Sequence, residues 1–247
     1  MTTKIAIVTG AGQGMGRSVA MKLASEGTKI IVNDVNAEQA NSTVSKINSL
    51  GGKAYSNNAD VTSQDEVTNM VDQCLTQYGK VHILVNNAGV LKPTKVIDIE
   101  EQEWDWVIGV NLKGTYLCSR AVLPAMQDAG WGRIVNFSST AGKSTSTVGG
   151  AHYTAAKAGI LGFTRHLSRE SAPFGITVNS VCPGLINTEM VRSTISEDRV
   201  KFYTDSFPIS RMGDPTEVAE LVAFLASDKA AYITGASLDI NGGDLTI

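Results

Sequence analysis

Tyr153 and Lys157 stand four residues apart in His152-Tyr153-Thr154-Ala155-Ala156-Lys157. On a helix that spacing puts both side chains on one face. A tyrosine with its ordinary pKa of about 10 is a poor base near neutrality, but a neighbouring ammonium stabilises the phenolate and lowers that value. The pair is a candidate general acid/base, although a Tyr-x-x-x-Lys pair alone is equally a solvated helix face. Ser139 follows a β-branched run, where its hydroxyl can donate to a substrate oxygen. Asn86-Asn87-Ala88-Gly89 closes another such run. Together these groups supply what hydride transfer to a carbonyl requires.

A second cluster suits a phosphate. Gly10-Ala11-Gly12-Gln13-Gly14-Met15-Gly16 follows the apolar run Ile5–Val8 and opens a helical register at Arg17. Glycines let the backbone approach a pyrophosphate, and a helix N-terminus offers unpaired N–H groups and partial positive charge. The spacing is Thr9-Gly10-x-x-x-Gly14-x-Gly16 rather than G-x-G-x-x-G. Asp34 ends the next β-branched run, and Val35, Asn36 and Ala37 follow it with no basic residue. A carboxylate there accepts hydrogen bonds from ribose hydroxyls and repels a 2′-phosphate, so NAD is expected as cofactor rather than NADP. Taken alone, Asp34 also fits a turn or cap.

These residues need a scaffold, and the alternation of short β-branched runs with helical periodicities predicts one. Strands are expected at Ile5–Val8, Lys29–Asn33, Lys53–Asn57, Ile83–Asn86, Arg133–Ser138, Thr177–Cys182 and Ser237–Ile240. The implied fold is α/β: a doubly wound, Rossmann-type, mostly parallel seven-stranded sheet with helices on both faces. Val67, Met70, Val71, Cys74 and Leu75 mark one buried helix face, with Ser63 and Glu66 as its capping box. Asp214-Pro215-Thr216-Glu217 starts another helix. Without repeats or linkers, residues 1–247 read as a single domain. The strandless stretch 185–212 is expected to be a substrate cover, or else a surface helix pair.

The composition narrows the function classes. With 21 Lys+Arg against 24 Asp+Glu and a net charge of -3, no basic block exists to meet nucleic acid or an anionic membrane. No apolar run is long enough for a transmembrane helix. The three cysteines, Cys74, Cys118 and Cys182, exclude a paired disulfide framework and a Cys-x-x-Cys metal knuckle. A reducing cytoplasm is expected, and no metal site. His82 and His166 lie on periodic segments and read as structural, while His152 points about 100° away from Tyr153 on a helix.

In order and spacing, Thr9-Gly10-x-x-x-Gly14-x-Gly16, Asn86-Asn87-Ala88-Gly89, Asn111, Ser139, Tyr153-x-x-x-Lys157 and Pro183-Gly184 resemble the short-chain dehydrogenase/reductase family, in its shorter single-domain branch. The resemblance implies that Tyr153 moves the substrate proton, that Lys157 lowers its pKa and holds the nicotinamide ribose, that Ser139 orients the carbonyl and that Asn111 supports a water-linked proton path. Ser139 is preferred to Ser138 because Gly142 follows it by three. The cofactor site so implied takes Gly10, Gly12, Gln13, Gly14, Met15 and Gly16 at the phosphates and Asp34 at the ribose. Asp60 and Val61 lie by the adenine, Asn87 and Gly89 by the adenosine-side ribose and phosphates, and Ile186 and Thr188 by the carboxamide, with Ala88, Pro183 and Gly184 also in the cofactor site. An NAD-dependent oxidoreductase interconverting a small secondary alcohol and a ketone is expected, as a homotetramer. The alternatives are an NADPH-dependent 3-oxoacyl-thioester reductase, against which Asp34 and Gln13 weigh, and a non-catalytic nucleotide-binding regulator, against which the retained Tyr153 and Lys157 weigh.

Overall fold

In a computed structural model describing residues 3–247, seven parallel strands form one sheet in the order β3-β2-β1-β4-β5-β6-β7. They are β1 (Ile5–Thr9), β2 (Lys29–Asn33), β3 (Lys53–Asn57), β4 (Ile83–Asn86), β5 (Gly132–Phe137), β6 (Ile176–Pro183) and β7 (Ser237–Ile240). Every residue of β1, β4, β5 and β6 is buried. Helices cover both faces, so even the polar Arg133, Asn136, Asn179 and Ser180 of these strands are buried. Alternation along β1 shows the two layers: Ala6 and Val8 pack with α1 (Gly14–Ser25), α2 (Ala37–Ser49) and α9 (Pro215–Leu225). Ile5 and Ile7 pack on the other side with α3 (Gln64–Tyr78), α5 (Gly114–Ala129) and α6 (Ala151–Ser171).

The strand order reverses between β1 and β4, which opens a crevice at their carboxyl ends, the ligand edge of such sheets. Local chemistry sets the elements around it. Asp214 caps α9 in a reciprocal box with Glu217. At α3 the box is half made: Ser63 accepts the Glu66 N–H, but the Glu66 carboxylate turns to the Asp60 N–H, 2.9 Å away. Between α4 (Glu101–Ile108) and α5 the helix continues through a π turn, Gly109–Lys113, which carries Asn111.

The 185–212 stretch is a pair of short helices, α7 (Glu189–Thr194) and α8 (Glu197–Thr204). Its base is closed by an isolated bridge between Ile186 and Gly213. Its far end touches the loop before α6, where the Tyr203 hydroxyl donates to the Thr147 carbonyl at 3.1 Å.

Candidate active site

A cavity of about 360 Å³ fills the crevice. Its floor is the loop after β1, stitched to the loop after β4. Thr9 Oγ1 accepts the Asn87 and Ala88 N–H groups, both at 3.1 Å. The Asn87 side chain in turn donates to the Thr9 and Gly10 carbonyls at 2.9 Å. Gly10 turns at φ +60°, and a Cβ there would sit 2.8 Å from Ala88 Cα. At Gly16 a Cβ would collide with the Gly10 carbonyl oxygen. The N-terminus of α1 begins at Gly14, with no side chain capping it and no acidic residue in its first turn. Bare backbone above an uncapped helix N-terminus is a cradle for a pyrophosphate, and it fits a dinucleotide.

At the adenosine end Asp34 is held by two backbone donors: Gly12 N–H to Oδ2 at 2.9 Å and Asn36 N–H to Oδ1 at 3.0 Å. The turn role is therefore real, and the same carboxylate lines the cavity. A Cβ at Gly12 would lie 2.7 Å from Asp34 Oδ2, so glycine is what lets the carboxylate close over the loop. Arg17, the nearest basic side chain in the loop sequence, spends its donors on the Gly12 carbonyl and Thr43 Oγ1. Asp60 lines the cavity, with its carboxylate turned to the Thr62 N–H and hydroxyl, both at 2.8 Å.

At the other end α6 presents Tyr153 and Lys157 to the cavity. Lys157 Nζ donates to the Phe137 carbonyl at 2.8 Å, and burial lowers its pKa to about 8. Burial pushes the Tyr153 phenol up, while its hydrogen bond with Ser139 works in the opposite direction. The expected downward shift by Lys157 does not appear: desolvation of the phenol dominates, and the bond to Ser139 is what opposes it. The adjacent serines divide the work: Ser138 donates to the Lys157 carbonyl at 2.8 Å, and Ser139 meets Tyr153. Asn111 donates to the Val90 and Val107 carbonyls, each at 2.8 Å, and leaves its buried Oδ1 without a partner. That oxygen faces Gly89, beside Lys157 Nζ.

Most residues expected at the site do line this cavity: Gly10, Gln13, Gly14, Met15, Asp34, Asp60, Val61, Asn87, Ala88, Gly89, Asn111, Tyr153, Lys157 and Thr188. Gly12, Gly16, Pro183, Gly184 and Ile186 do not. The first two shape the loop, Gly184 packs against Asn241, and the Ile186 side chain is buried in the core. Ser139 is not among the lining residues either, although it bonds Tyr153, whereas Ser138, to which it was preferred, does line the cavity. Sequence reasoning missed Trp106, Glu189 and Met190, which also line the cavity. Nothing in the spacing of these three residues marks them. His152 is fully buried and takes no part in the wall. Among the described residues no helix is long and apolar enough to cross a membrane.

A family model described as "Enoyl-(Acyl carrier protein) reductase" matches residues 10–244. The chain belongs to the short-chain dehydrogenase/reductase family. It is 42% identical to a 3-oxoacyl-[acyl-carrier-protein] reductase of Staphylococcus epidermidis, over 97% of this chain and 98% of that one. A short-chain type dehydrogenase/reductase from Mycobacterium marinum superposes with a TM-score of 0.94 at 33% identity, covering 99% of this chain and 96% of the other. A 3-oxoacyl-[acyl-carrier protein] reductase from Brucella melitensis gives 0.93 at 34% identity, covering 97% and 90%. As a short-chain dehydrogenase/reductase the chain is an oxidoreductase that binds a nicotinamide cofactor.

Proposed function

We propose that this chain reduces a ketone to a secondary alcohol, and runs the reverse reaction, with 3-oxoacyl thioesters as substrate class and NADH as reductant. The carrying observation is that Tyr153, bonded to Ser139, and Lys157 line one end of a cavity whose other end is a bare-backbone phosphate cradle. A bound reduced nicotinamide supplies the hydride. Tyr153 then gives its proton to the carbonyl oxygen, which Ser139 orients by a hydrogen bond. Lys157 places a cation beside the phenol. The free Asn111 Oδ1 accepts from a water that returns the proton to this pair.

The substrate class rests on the names carried by relatives at 42% identity, and it replaces the broader expectation of a small alcohol of unspecified type. For the cofactor, the fixed Asp34 carboxylate supports NADH, because a 2′-phosphate there would face it without a free cation. One observation favours a smaller ketone as second reading. The cations of the cover are engaged within the chain, Arg192 with Asn187, Arg199 with Tyr203, Lys201 with Asp205 and Arg211 with Glu217. None is reserved for the phosphorylated tail of a thioester. Absorbance at 340 nm tests both readings. Oxidation of NADH by 3-oxobutyryl-CoA supports the first, and turnover of diketones or cyclic ketones alone supports the second. No turnover of any ketone refutes the proposal.

A further inference from the structure

His152, fully buried, sits immediately before Tyr153 and makes two hydrogen bonds that fix its protonation pattern. Its Nδ1 accepts the Tyr153 backbone N–H at 2.8 Å, so that nitrogen carries no proton. Nε2 lies 2.9 Å from Glu103 Oε1, and with the ring's proton there it donates to the carboxylate. Glu103 also bonds the Thr94 side chain, and together these donors hold its carboxyl below the usual carboxylate range. Thr94 lies in the loop after β4. The same loop meets the start of α6 directly, where the Gly150 N–H donates to the Lys92 carbonyl at 2.7 Å. There is no room for a side chain at that junction: a Cβ on Gly150 would come 2.6 Å from the Thr94 carbonyl oxygen. One carboxylate on α4 thus ties together the loop after β4 and the helix turn that carries Tyr153. The helix that carries Glu103 runs on into the π turn, where Asn111 grips the same loop through the Val90 carbonyl.

We propose that Glu103 and His152 are positioning residues for the reaction: their hydrogen bond sets where the first turn of α6 stands relative to the 91–94 loop, and so where the Tyr153 hydroxyl meets the substrate oxygen. Neither touches the cavity. Their effect runs through Tyr153, and a displacement near 1 Å of a reacting group costs up to about 10²-fold in rate. This inference rests on the proposed role of Tyr153.

Glu103→Gln keeps an acceptor for His152, whereas Glu103→Ala removes it. His152→Asn keeps an acceptor for the Tyr153 N–H and gives up the reach to Glu103. Ketone reduction by the full-length protein is measured per NADH-binding site, counted by fluorescence titration. The expected result is a fall in kcat of about tenfold or more for Glu103→Ala and His152→Asn, with NADH affinity within about twofold. The solvent deuterium isotope effect should grow in both as proton transfer becomes limiting, and Glu103→Gln should stay within about threefold of the parent in kcat. Unchanged kcat per NADH site in Glu103→Ala overturns the proposal, as does a fall with an unchanged isotope effect. Amide hydrogen exchange over residues 149–157 reads the anchoring without any substrate. Protection there should drop in Glu103→Ala and persist in Glu103→Gln, and equal protection in both refutes the anchor even where the choice of ketone is wrong.

Discussion

Lys157 Nζ stands 5.5 Å from the centroid of the Tyr153 ring, held by its hydrogen bond to the last carbonyl of β5. The ammonium therefore faces the phenol without being spent on it. Both groups lie where burial penalises their charged forms, raising the phenol and lowering the ammonium to about 8. In the proposed mechanism, proton transfer between substrate and Tyr153 takes place beside a cation that is itself near its titration point at physiological pH.

Tyr153→Phe removes the proton-transfer oxygen and leaves the ring packing. General acid/base catalysis contributes about 10²–10⁴-fold, so turnover should fall by at least two orders of magnitude while NADH binding stays within a few-fold. Steady-state rates and fluorescence titration check this. Retention of more than a tenth of the activity contradicts the role. In the parent, alcohol oxidation should rise with pH as Tyr153 loses its proton, and that rise should be missing in the variant.

Lys157 should also cost stability. A drop from 10.5 to about 8 corresponds to about 3 kcal/mol of burial penalty on the charged form. The folded pKa lies below the unfolded one, so the penalty is complete below about pH 8 and is relieved as pH rises towards the unfolded value near 10.4. Lys157→Met removes it, less about 1 kcal/mol for the lost bond to the Phe137 carbonyl. The variant should be inactive yet more resistant to urea than the parent at pH 7, and its advantage should shrink by pH 9.5. A variant less stable than the parent at pH 7 rules this out.

Asp34 makes the cofactor testable by itself. Seating a phosphate dianion beside a fixed carboxylate costs several times the roughly 1.4 kcal/mol of a tenfold preference, so kcat/KM with NADH should exceed that with NADPH by well over tenfold. Asp34→Ser should narrow the ratio, because serine removes the charge and still accepts from the Asn36 N–H. Equal use of both cofactors by the unchanged protein refutes the assignment.

Much of this was legible in the residues, for identifiable reasons. Strands β2 and β4 fall where their apolar β-branched runs put them, because central strands of a parallel sheet are buried on both faces; the edge strands β3 and β7 also keep their expected bounds, although most of their residues stay partly exposed. The glycine loop is legible because close backbone approach at Gly10 and Gly16 leaves no other residue type room. The π turn is not, since apolar periodicity does not separate five residues of π turn from the α-helix around them. Nor is the Glu103–His152 pair, whose members lie 49 residues apart and meet only once α4 and α6 have packed. The half-made box at Ser63 shows the same limit. Glu66 has the right spacing, but the Asp60 N–H, brought up by the preceding turn, competes for its carboxylate.

Assembly is the last expectation, and the structure sharpens it. The apolar surplus on the helices after β4 and β5 is only partly absorbed by the monomer: Val107, Leu117, Ile160, Leu161 and Leu167 are buried. Tyr116 remains 43% exposed and Trp104 41%, while Ile97, ahead of α4, is 90% exposed. Tyr116 meets Phe163 edge to face at 6.3 Å, joining α5 and α6 in one outward aromatic face. Apolar surface of this kind marks an interface, and a self-complementary one closes by two-fold symmetry. One two-fold interface makes a dimer, and the homotetramer that the resemblance implies needs a second; light scattering at micromolar concentration should give a mass near four times 26.1 kDa. A mass near that of one chain refutes the expectation. Tyr116→Glu puts a charge in the middle of the face and should lower the mass. Activity should fall with it, because α6 carries Phe163 on its outer side and Tyr153 and Lys157 on its inner one. Full activity in a monomeric variant would separate assembly from catalysis and refute that coupling.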